Sequence, residues 1–182
     1  MSGAGADDEG DPVVRQAALE DAEAVVGFTE DTWADRAGDY LPRVFETWVE
    51  TDGPIQRTLV AEVDGAVAGV VQGVCLTEHE AWAQGIRVAP DARGRGVSAA
   101  LTEAVFDWAA EAGATVCRNM VFSWNAAGLG LSRAAGFEPV TEFRWAHPDP
   151  DADADVPDGF AVSEEPDAAW SCWTRSAGAR HL

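Results

Sequence analysis

The sequence predicts an α/β fold in which helices pack against a sheet of mixed strand directions. Short β-rich segments alternate with segments of helical periodicity, which is typical of a sheet covered by helices. Asp64 and Gly65 stand between two β-rich runs and predict a tight hairpin, so that these two strands run antiparallel. Near the middle of the chain, a loop rich in Arg and Gly leads from a strand into an apolar-striped helix.

Each element has a local signal. In the first helix, apolar residues recur at helical spacing, at Ala22, Val25 and Trp33, and Pro42 suits the first turn of the second helix. Gly136 marks the end of the last short helix. In chain order, the predicted elements are a strand at 13–19, a helix at 20–33, a helix at 41–51, a hairpin at 57–74, a strand at 81–88, a helix from 97 to about 113, a strand at 115–124, a short helix at 125–136 and a strand at 137–146.

The 182 residues divide into three predicted stretches. Residues 1–12 form a flexible acidic lead, residues 13–147 form one domain, and residues 148–182 form an acidic linker followed by a strand or tail. The last strand is predicted at 168–176. It either completes the sheet or begins a second module, and the sequence leaves both interpretations open.

The composition excludes several classes of function. Net charge is -20 and all 12 basic residues are Arg. No basic stripe is present to neutralise phosphates, so we expect no nucleic-acid binding, and no apolar run has the length of a membrane span. Residues 1–12 lack the features of a signal peptide, which predicts a cytoplasmic protein. The acidity indicates either solubility alone or adaptation to molar salt, and its spread along the chain favours a salt-adapted, haloarchaeal-like source.

The cysteines and histidines do not form a metal-binding pattern. Cys75, Cys117 and Cys172 are isolated, no CxxC pair occurs, and the three histidines are scattered. We therefore expect no metal site. Because Cys75 and Cys117 lie in apolar, strand-like runs, they are predicted to be small buried hydrophobic residues.

The loop before the long central helix, residues 93–98, has the chemistry of an anion site. A helix start carries unpaired N–H groups and a partial positive charge, and Gly94 and Gly96 let the backbone approach an anion closely. Arg93 and Arg95 add charged donors suited to phosphate oxygens. The spacing matches neither a P-loop nor a dinucleotide-binding fingerprint. The other interpretation is a glycine-rich turn whose arginines pair with surface acids.

Two stretches of the sequence resemble the GNAT N-acetyltransferase superfamily. Residues 88–98, VAPDARGRGVS, resemble the acetyl-CoA signature V-x-P-x-x-R-G-x-G-x-[G/A], with Ser98 at the last small position. Residues 125–137, NAAGLGLSRAAGF, are similar to the element N-x-x-A-x-x-L-Y-x-[K/R]-x-G-F. Here Gly128 replaces Ala and Ser132 replaces Tyr. The two motifs occur in the order and at the separation that the superfamily shows.

The resemblance, which covers residues 13–146, implies a GNAT fold. Its mostly antiparallel sheet would have about six to seven strands, splayed between the fourth and fifth, and about four flanking helices. Acetyl-CoA would lie in the splay, with its pyrophosphate on residues 93–98 and its pantetheine paired to the strand backbone at 86–88. An N–H near Val88 would polarise the thioester carbonyl, and Asn125 would hold the amide region. The implied cofactor contacts are Ile86, Arg87, Val88, Arg93, Gly94, Arg95, Gly96, Val97, Ser98 and Asn125.

Acetyl transfer to an amine needs a base, because the protonated amine is no nucleophile. The resemblance places an acid just before the cofactor strand, where Glu80 is the first candidate and Glu78 the second. Strand alternation would put both carboxylates on one face. Ser132 stands where the family has the tyrosine that protonates the departing thiolate. A serine hydroxyl is a poorer acid than a phenol, but it can still donate a hydrogen bond to the sulfur.

The acceptor would enter beside the first two helices. There Trp33, Tyr40 and Trp124, together with Trp48, predict an aromatic pocket for an amine, with core packing as the other interpretation. The implied function is an acetyl-CoA-dependent N-acetyltransferase that acts on a primary amine of a small molecule or protein by direct attack on the thioester. The other hypothesis is a regulatory acyl-CoA-binding module with little turnover, which the loss of Tyr at position 132 favours. Relatives of this kind often form homodimers.

Overall fold

The computed structural model describes residues 10–36, 38–144, 155, 158–159 and 163–175. The chain divides into two compact units, residues 1–140 and 141–182. The described elements of the first unit are β1 (Val13–Gln16), α1 (Ala22–Thr29), α2 (Leu41–Glu50), β2 (Gln56–Val63), β3 (Ala66–Cys75), β4 (Glu80–Val88), α3 (Val97–Glu111), β5 (Val116–Arg118) and α4 (Ala126–Ala134). The second unit contains α5 (Pro166–Arg175).

The five strands form one sheet in the order β1-β2-β3-β4-β5. The first four strands are antiparallel, whereas β5 runs parallel to β4. The predicted hairpin joins β2 to β3, with φ of 54° at Asp64 and 79° at Gly65. Positive φ at both central residues is what a type I′ turn requires. The mixed sheet and its hairpin are therefore confirmed.

The sheet opens between β4 and β5. Pairing between these strands covers only residues 80–82 of β4 and 116–118 of β5. On its other side, β4 pairs Gln84 with Gln72 and Arg87 with Val70, so that two residues, Gly85 and Ile86, oppose a single residue of β3. Gly85 has φ of 66°, and this arrangement is a β-bulge, which bends the strand. The predicted splay thus begins where β4 bends away from its parallel neighbour.

The sheet is covered on both faces. On one face, Val97, Leu101 and Val105 of α3 form a buried cluster with strand residues. On the other face, Leu41 and Phe45 of α2 pack in a second cluster with α1 and the sheet. The close approach of α3 depends on glycine in β3: a Cβ at position 69 would lie 2.7 Å from a methyl group of Val97 and 3.0 Å from the Arg87 carbonyl oxygen.

A buried ion pair attaches the segment between α1 and α2 to the bulge. The Asp39 carboxylate, whose side chain is fully buried, accepts hydrogen bonds from Arg87 Nε at 2.6 Å and Nη2 at 3.2 Å. Its Oδ1 atom also accepts from the N–H of Leu41 at the start of α2, at 3.1 Å. The Arg87 guanidinium is occupied by its hydrogen bonds to Asp39, so this side chain supports the fold. Only the backbone of Arg87 remains for the predicted cofactor contact.

Three predicted strands differ from the described structure. β5 ends at Arg118, well before residue 124, because Asn119 leaves the sheet and donates a hydrogen bond to Ser132 of α4 at 2.9 Å. Residues 137–144 contain no strand, and Pro139 among them cannot donate to a strand ladder. Residues 145 and 146 lie outside the described residues, as do residues 1–9 of the predicted lead and most of the predicted linker.

Residues 168–175 of the predicted strand at 168–176 are instead part of helix α5, and residue 176 lies outside the described residues. The Trp, Cys and Thr residues of this segment suggested a strand, but Pro166 and Asp167 in the first turn favour a helix start. The Thr174 hydroxyl donates to the carbonyl of Trp170 one turn earlier, at 3.0 Å. In the described part of the chain, the sheet has five strands and there are five α-helices, compared with the expected six to seven strands and about four helices.

We expect Gly69→Ala to lower the free energy of unfolding by about 1–3 kcal/mol, because the new methyl group overpacks the contact between β3 and α3. Gly130→Ala in α4 is the control, since a Cβ there meets no atom within 4 Å, and alanine should stabilise the helix by about 0.5–1 kcal/mol. Urea denaturation at fixed salt measures both. Equal effects of the two substitutions would contradict the proposed packing.

We expect Asp39→Asn to destabilise the protein by about 3–5 kcal/mol, because it leaves the Arg87 charge buried without a partner. Adding Arg87→Met should recover part of the loss by removing that charge. Asp64→Asn, which breaks the more exposed pair of Asp64 with Arg95, should cost far less, because solvent screens this pair. Thermal unfolding of the four proteins tests this order, and a double variant no more stable than Asp39→Asn alone would contradict it.

Candidate active site

The open side of β4 presents unpaired backbone. The N–H of Ala89 donates to the carbonyl of Ala68 toward β3, at 2.8 Å, so strand alternation turns the N–H of Val88 to the opposite side. Among the described residues no strand pairs with that side, since β5 pairs only as far as Trp82. The carbonyl of Ile86 accepts from Arg87 Nη1 at 2.9 Å. The strand therefore offers the N–H of Val88 to a ligand in the splay, close to the position predicted from the sequence.

The loop between β4 and α3 is open to an anion. Gly94 and Gly96 have φ of 82° and 77°, and a Cβ on either would meet no atom within 4 Å. The first hydrogen bond of α3 runs from the N–H of Ala100 to the carbonyl of Gly96, at 3.0 Å. The N–H groups at the start of α3, including those of Val97 and Ser98, consequently have no acceptor within the helix.

The two arginines of this loop differ. Arg95 Nη2 donates to Asp64 Oδ2 at 2.8 Å, and this hydrogen bond lowers the pKa of the Asp64 carboxyl. Arg93 is exposed and forms no ion pair with any described residue. Pairing with a surface acid, the competing interpretation of the loop, thus holds for Arg95, and Arg93 is the side chain available to a phosphate.

The second sequence motif forms the start of α4. Asn125 caps this helix by accepting from the N–H of Gly128 at 3.0 Å. A Cβ at position 128 would lie 2.6 Å from the Asn125 side chain, so glycine there serves the cap. Ser132 lies within α4, and its oxygen accepts from Asn119 Nδ2 at 2.9 Å. Its own hydroxyl hydrogen remains free to donate.

The two predicted acids lie at the beginning of β4. Glu80 forms an ion pair with Arg118 Nε at 2.8 Å. Gln84 lies four residues further along β4, about 13 Å away at ~3.3 Å per residue. Glu78 lies in the connection before β4, with 86% of its side chain exposed and 3.5 Å from His79. Because Glu78 is outside the strand, the alternation that paired it with Glu80 does not apply.

The predicted acceptor residues lie in an aromatic cluster, which consists of Trp33, Tyr40, Trp48, Phe122 and Trp124. The Trp33 ring meets those of Phe122 and Trp124 edge-on, at centroid distances of 6.1 and 5.2 Å. Phe122 and Trp124 are stacked at 5.1 Å, and Tyr40 packs against Trp48 at 5.9 Å. The structure therefore brings together Trp33 and Trp124, which are far apart in sequence.

Two guanidinium groups lie over this aromatic cluster. Arg87 Cζ lies 4.3 Å from the centre of the Trp33 ring and 5.9 Å from that of Tyr40, and it links the two halves of the cluster. Arg36 Cζ lies 4.1 Å from the centre of Trp124. Neither Arg36 nor Phe122 was predicted as a site residue. Phe122 could have been predicted, because it lies two residues before Trp124 in the same segment that was predicted as a strand, whereas nothing local marks Arg36.

Tyr40 reaches the bulge of β4. Its hydroxyl oxygen lies 3.2 Å from the position that a Cβ of Gly85 would take, and the Trp48 ring lies 2.7 Å from the same point. Burial raises the pKa of Tyr40, so the phenol is neutral at ordinary pH. Glycine at position 85 thus permits both the positive φ and the approach of these two rings.

Cys75 and Cys117 flank Ala81 across the sheet and pack against Trp108 and Ala109 of α3. Burial raises the pKa of Cys117 to about 11, so its thiol stays protonated and unreactive near neutral pH. Among the described residues, no group of three or more His, Cys, Asp or Glu side chains could hold a metal ion. None of the described helices combines the length and apolar character needed to cross a membrane.

Solved structures with the same fold include several acetyltransferases. AAC(6')-Iy, an aminoglycoside N-acetyltransferase solved with a bisubstrate analogue, has a TM-score of 0.63 and 21% identity over 77% of this chain and 99% of its own. A ribosomal-protein alanine N-acetyltransferase from Escherichia coli has a TM-score of 0.60 and 21% identity over 71% and 79% of the two chains. The PaiA N-acetyltransferase of Thermoplasma acidophilum, solved with coenzyme A, has a TM-score of 0.62 and 15% identity over 70% and 90%.

A search of curated protein sequences found no match to this chain. The profile of the acetyltransferase (GNAT) family matches residues 16–137, a stretch that runs from β1 to the end of the second motif. The splayed sheet, the open loop before α3 and this match agree, and the chain belongs to the GNAT family of acetyltransferases.

Proposed function

We propose that this protein is an acetyl-CoA-dependent N-acetyltransferase that transfers the acetyl group to a primary amine by direct attack on the thioester. The observation that carries the proposal is the loop at 93–98, where two glycines with positive φ leave the start of α3 open beside the unpaired edge of β4. Structural neighbours solved with coenzyme A or a bisubstrate analogue support the same choice of acyl donor.

In this proposal the donor is held mainly by backbone. The pyrophosphate accepts hydrogen bonds from the N–H groups of residues 93–98, with Arg93 as the charged side chain. The pantetheine runs along the open edge of β4 beside Ile86 and Val88, and the N–H of Val88 polarises the thioester carbonyl. Asn125, at the start of α4, borders the same space.

The reaction requires one bond to form and one to break. The amine nitrogen attacks the carbonyl carbon, and the C–S bond then breaks with its electron pair on sulfur. Ser132 donates a hydrogen bond to that sulfur and so takes the role of the family tyrosine. The Glu80 carboxylate is paired with Arg118 and lies about 13 Å along β4 from Gln84. Because this is too far for direct contact, Glu80 removes the amine proton through ordered water.

The aromatic cluster is the proposed acceptor site. Exposed acids follow α1 in sequence, at Glu30, Asp31 and Asp35, and they favour a cationic amine. Arg36 already places a cation over Trp124 at 4.1 Å, and this contact supports the proposal of a cationic ligand on the cluster. Whether the amine belongs to a small molecule or a protein terminus is decided by a panel of spermidine, 2-phenylethylamine and a peptide with a free α-amino group.

A second candidate is a low-turnover acyl-CoA-binding sensor. It is favoured by two contacts that occupy the proposed catalytic groups: the pair of Glu80 with Arg118 and the hydrogen bond of Asn119 to Ser132. The sensor, like the enzyme, should be stabilised by acetyl-CoA, but it should release no thiol with any amine of the panel. The salt-adapted source and the homodimer remain predictions. Comparing the activity in molar KCl with that in dilute buffer tests the salt adaptation.

We expect Arg93→Gln to weaken acetyl-CoA binding about tenfold, because a charged hydrogen bond to phosphate is lost. Arg95→Gln is the matched control and should change binding less, since Arg95 is paired with Asp64. Acetyl-pantetheine, which lacks the pyrophosphate, should bind both variants as well as the wild type. Isothermal titration measures these affinities, and an Arg93→Gln loss that persists with acetyl-pantetheine would place the diphosphate elsewhere.

We expect Trp124→Leu to raise KM for the amine about tenfold and leave KM for acetyl-CoA unchanged, because the acceptor loses a cation–π partner. Trp170→Leu in α5 is the control: this tryptophan is 67% exposed and belongs to the other compact unit. Steady-state thiol release with each substrate varied in turn gives both constants. If the two variants behave alike, the aromatic cluster is not the acceptor site.

A further inference from the structure

We infer that Gln84 binds the acceptor amine through its side-chain carbonyl oxygen, and that a row of polar residues across the sheet fixes this orientation. The row consists of Asp52, Thr58, Gln72 and Gln84. The inference rests on the proposed function, because the amine is the ligand it assigns to Gln84. It adds a specificity-determining residue that the sequence motifs do not contain.

The row crosses the sheet in register. Thr58 of β2 lies directly opposite Gln72 of β3, and Gln72 lies directly opposite Gln84 of β4. Thr58 and Gln72 are almost completely buried, at 0% and 1% exposure. Asp52 lies just before β2 and accepts from the Thr58 hydroxyl at 3.0 Å and from the Thr58 N–H at 2.9 Å. The four side chains therefore form one continuous chain of hydrogen bonds.

The carboxylate of Asp52 sets the direction of every bond in this chain. A carboxylate only accepts, so the Thr58 hydroxyl must donate to it. The Thr58 oxygen is then free to accept, and it receives Gln72 Nε2 at 3.2 Å. That choice turns the Gln72 carbonyl toward β4, where it accepts from Gln84 Nε2 at 2.7 Å.

The last member of the row presents an acceptor. The Gln84 amide nitrogen donates to Gln72, so its carbonyl oxygen is the amide atom left for another partner. No described residue donates a hydrogen bond to that oxygen. Gln84 lies beyond Trp82, the last residue of β4 that pairs with β5, and the next residue is Gly85 of the bulge, over which the Tyr40 hydroxyl lies. The residue that carries this oxygen therefore lies on β4 between the splay and the aromatic cluster, where we assign the amine.

This oxygen suits a primary amine. An attacking amine can donate one N–H to Gln84 and keep its lone pair for the thioester carbon. An alcohol has a single O–H, which it must give up during acyl transfer. A side chain that presented N–H groups instead would compete for the lone pair. The orientation of the row therefore favours primary amines over alcohols.

The test compares Gln84→Leu, Thr58→Val and the double variant, using spermidine or 2-phenylethylamine, whichever the wild type acetylates faster. Thr58 is about 10 Å from Gln84, two strand spacings of ~4.8 Å. Without the Thr58 hydroxyl, the side-chain amides of Gln72 and Gln84 can both rotate by 180°. We expect each single variant to lose about tenfold or more in kcat/KM for the amine, with KM for acetyl-CoA unchanged. The double variant should be no worse than Gln84→Leu alone.

Two further variants separate orientation from simple stability. Thr58→Ser keeps the hydroxyl and should retain wild-type kinetics. Gln84→Glu presents an oxygen whichever way it turns, so adding Thr58→Val to it should cause no further loss in kcat/KM. If Thr58→Val lowers only the melting temperature, or if its kinetic loss multiplies with that of Gln84→Leu, the orienting role of the row is wrong.

A measurement on the unmodified chain covers the case in which Thr58→Val does not fold. In the complex with coenzyme A, the side-chain amide resonances of Gln84 should shift on addition of the chosen amine, and unshifted resonances would overturn the inference. If the wild type releases no thiol with any amine of the panel, the proposed function fails and this inference with it. If the wild type turns over but Gln84→Leu and Thr58→Val match it, only this inference fails.

Discussion

The arrangement of the aromatic cluster and the bent strand β4 depends on the buried ion pair between Asp39 and Arg87. Asp39 holds the start of α2 and receives a guanidinium from the bulge of β4, 2.6 Å away. The same guanidinium supports the Trp33 ring and caps the carbonyl of Ile86. This single desolvated contact thus fixes the segment after α1, the aromatic cluster and the bent strand relative to one another. The local sequence alone does not set these relative positions.

The bulge at Gly85 and Ile86 gives β4 two different roles. Before the bulge, β4 pairs with β3 and, as far as Trp82, with β5, and it carries Gln84 at the end of the polar row. After the bulge, the strand keeps its pairing with β3, and no described strand pairs with its other edge. The bulge therefore lies between the part of β4 that is paired on both sides and the edge that we propose for the donor, and the positive φ at Gly85 explains why glycine occupies the turning point.

Features encoded locally could be predicted from the sequence, and features formed by distant residues largely could not. The hairpin at Asp64 and Gly65 and the open loop before α3 follow from turn chemistry and helix starts, and both are confirmed in conformation. The early end of β5 could not be predicted, because it depends on a hydrogen bond from Asn119 to a helix further along the chain. Helix α5 shows the opposite error, since a strand was predicted at 168–176 although Pro166 and Asp167 are a local signal for a helix start. The polar row escaped prediction because cross-strand register is invisible to a one-dimensional pattern.

The two halves of the candidate site are anchored separately. The donor loop is fixed through α3, which packs on β3 at Gly69 and on the rest of the sheet, whereas the aromatic wall is fixed through Asp39 and the segment between α1 and α2. They meet along β4 and at Trp124, which packs on Trp33 and directly precedes Asn125. In the proposed enzyme, exchange of residues 30–36 would therefore redirect the choice of acceptor while the loop at 93–98 keeps its conformation.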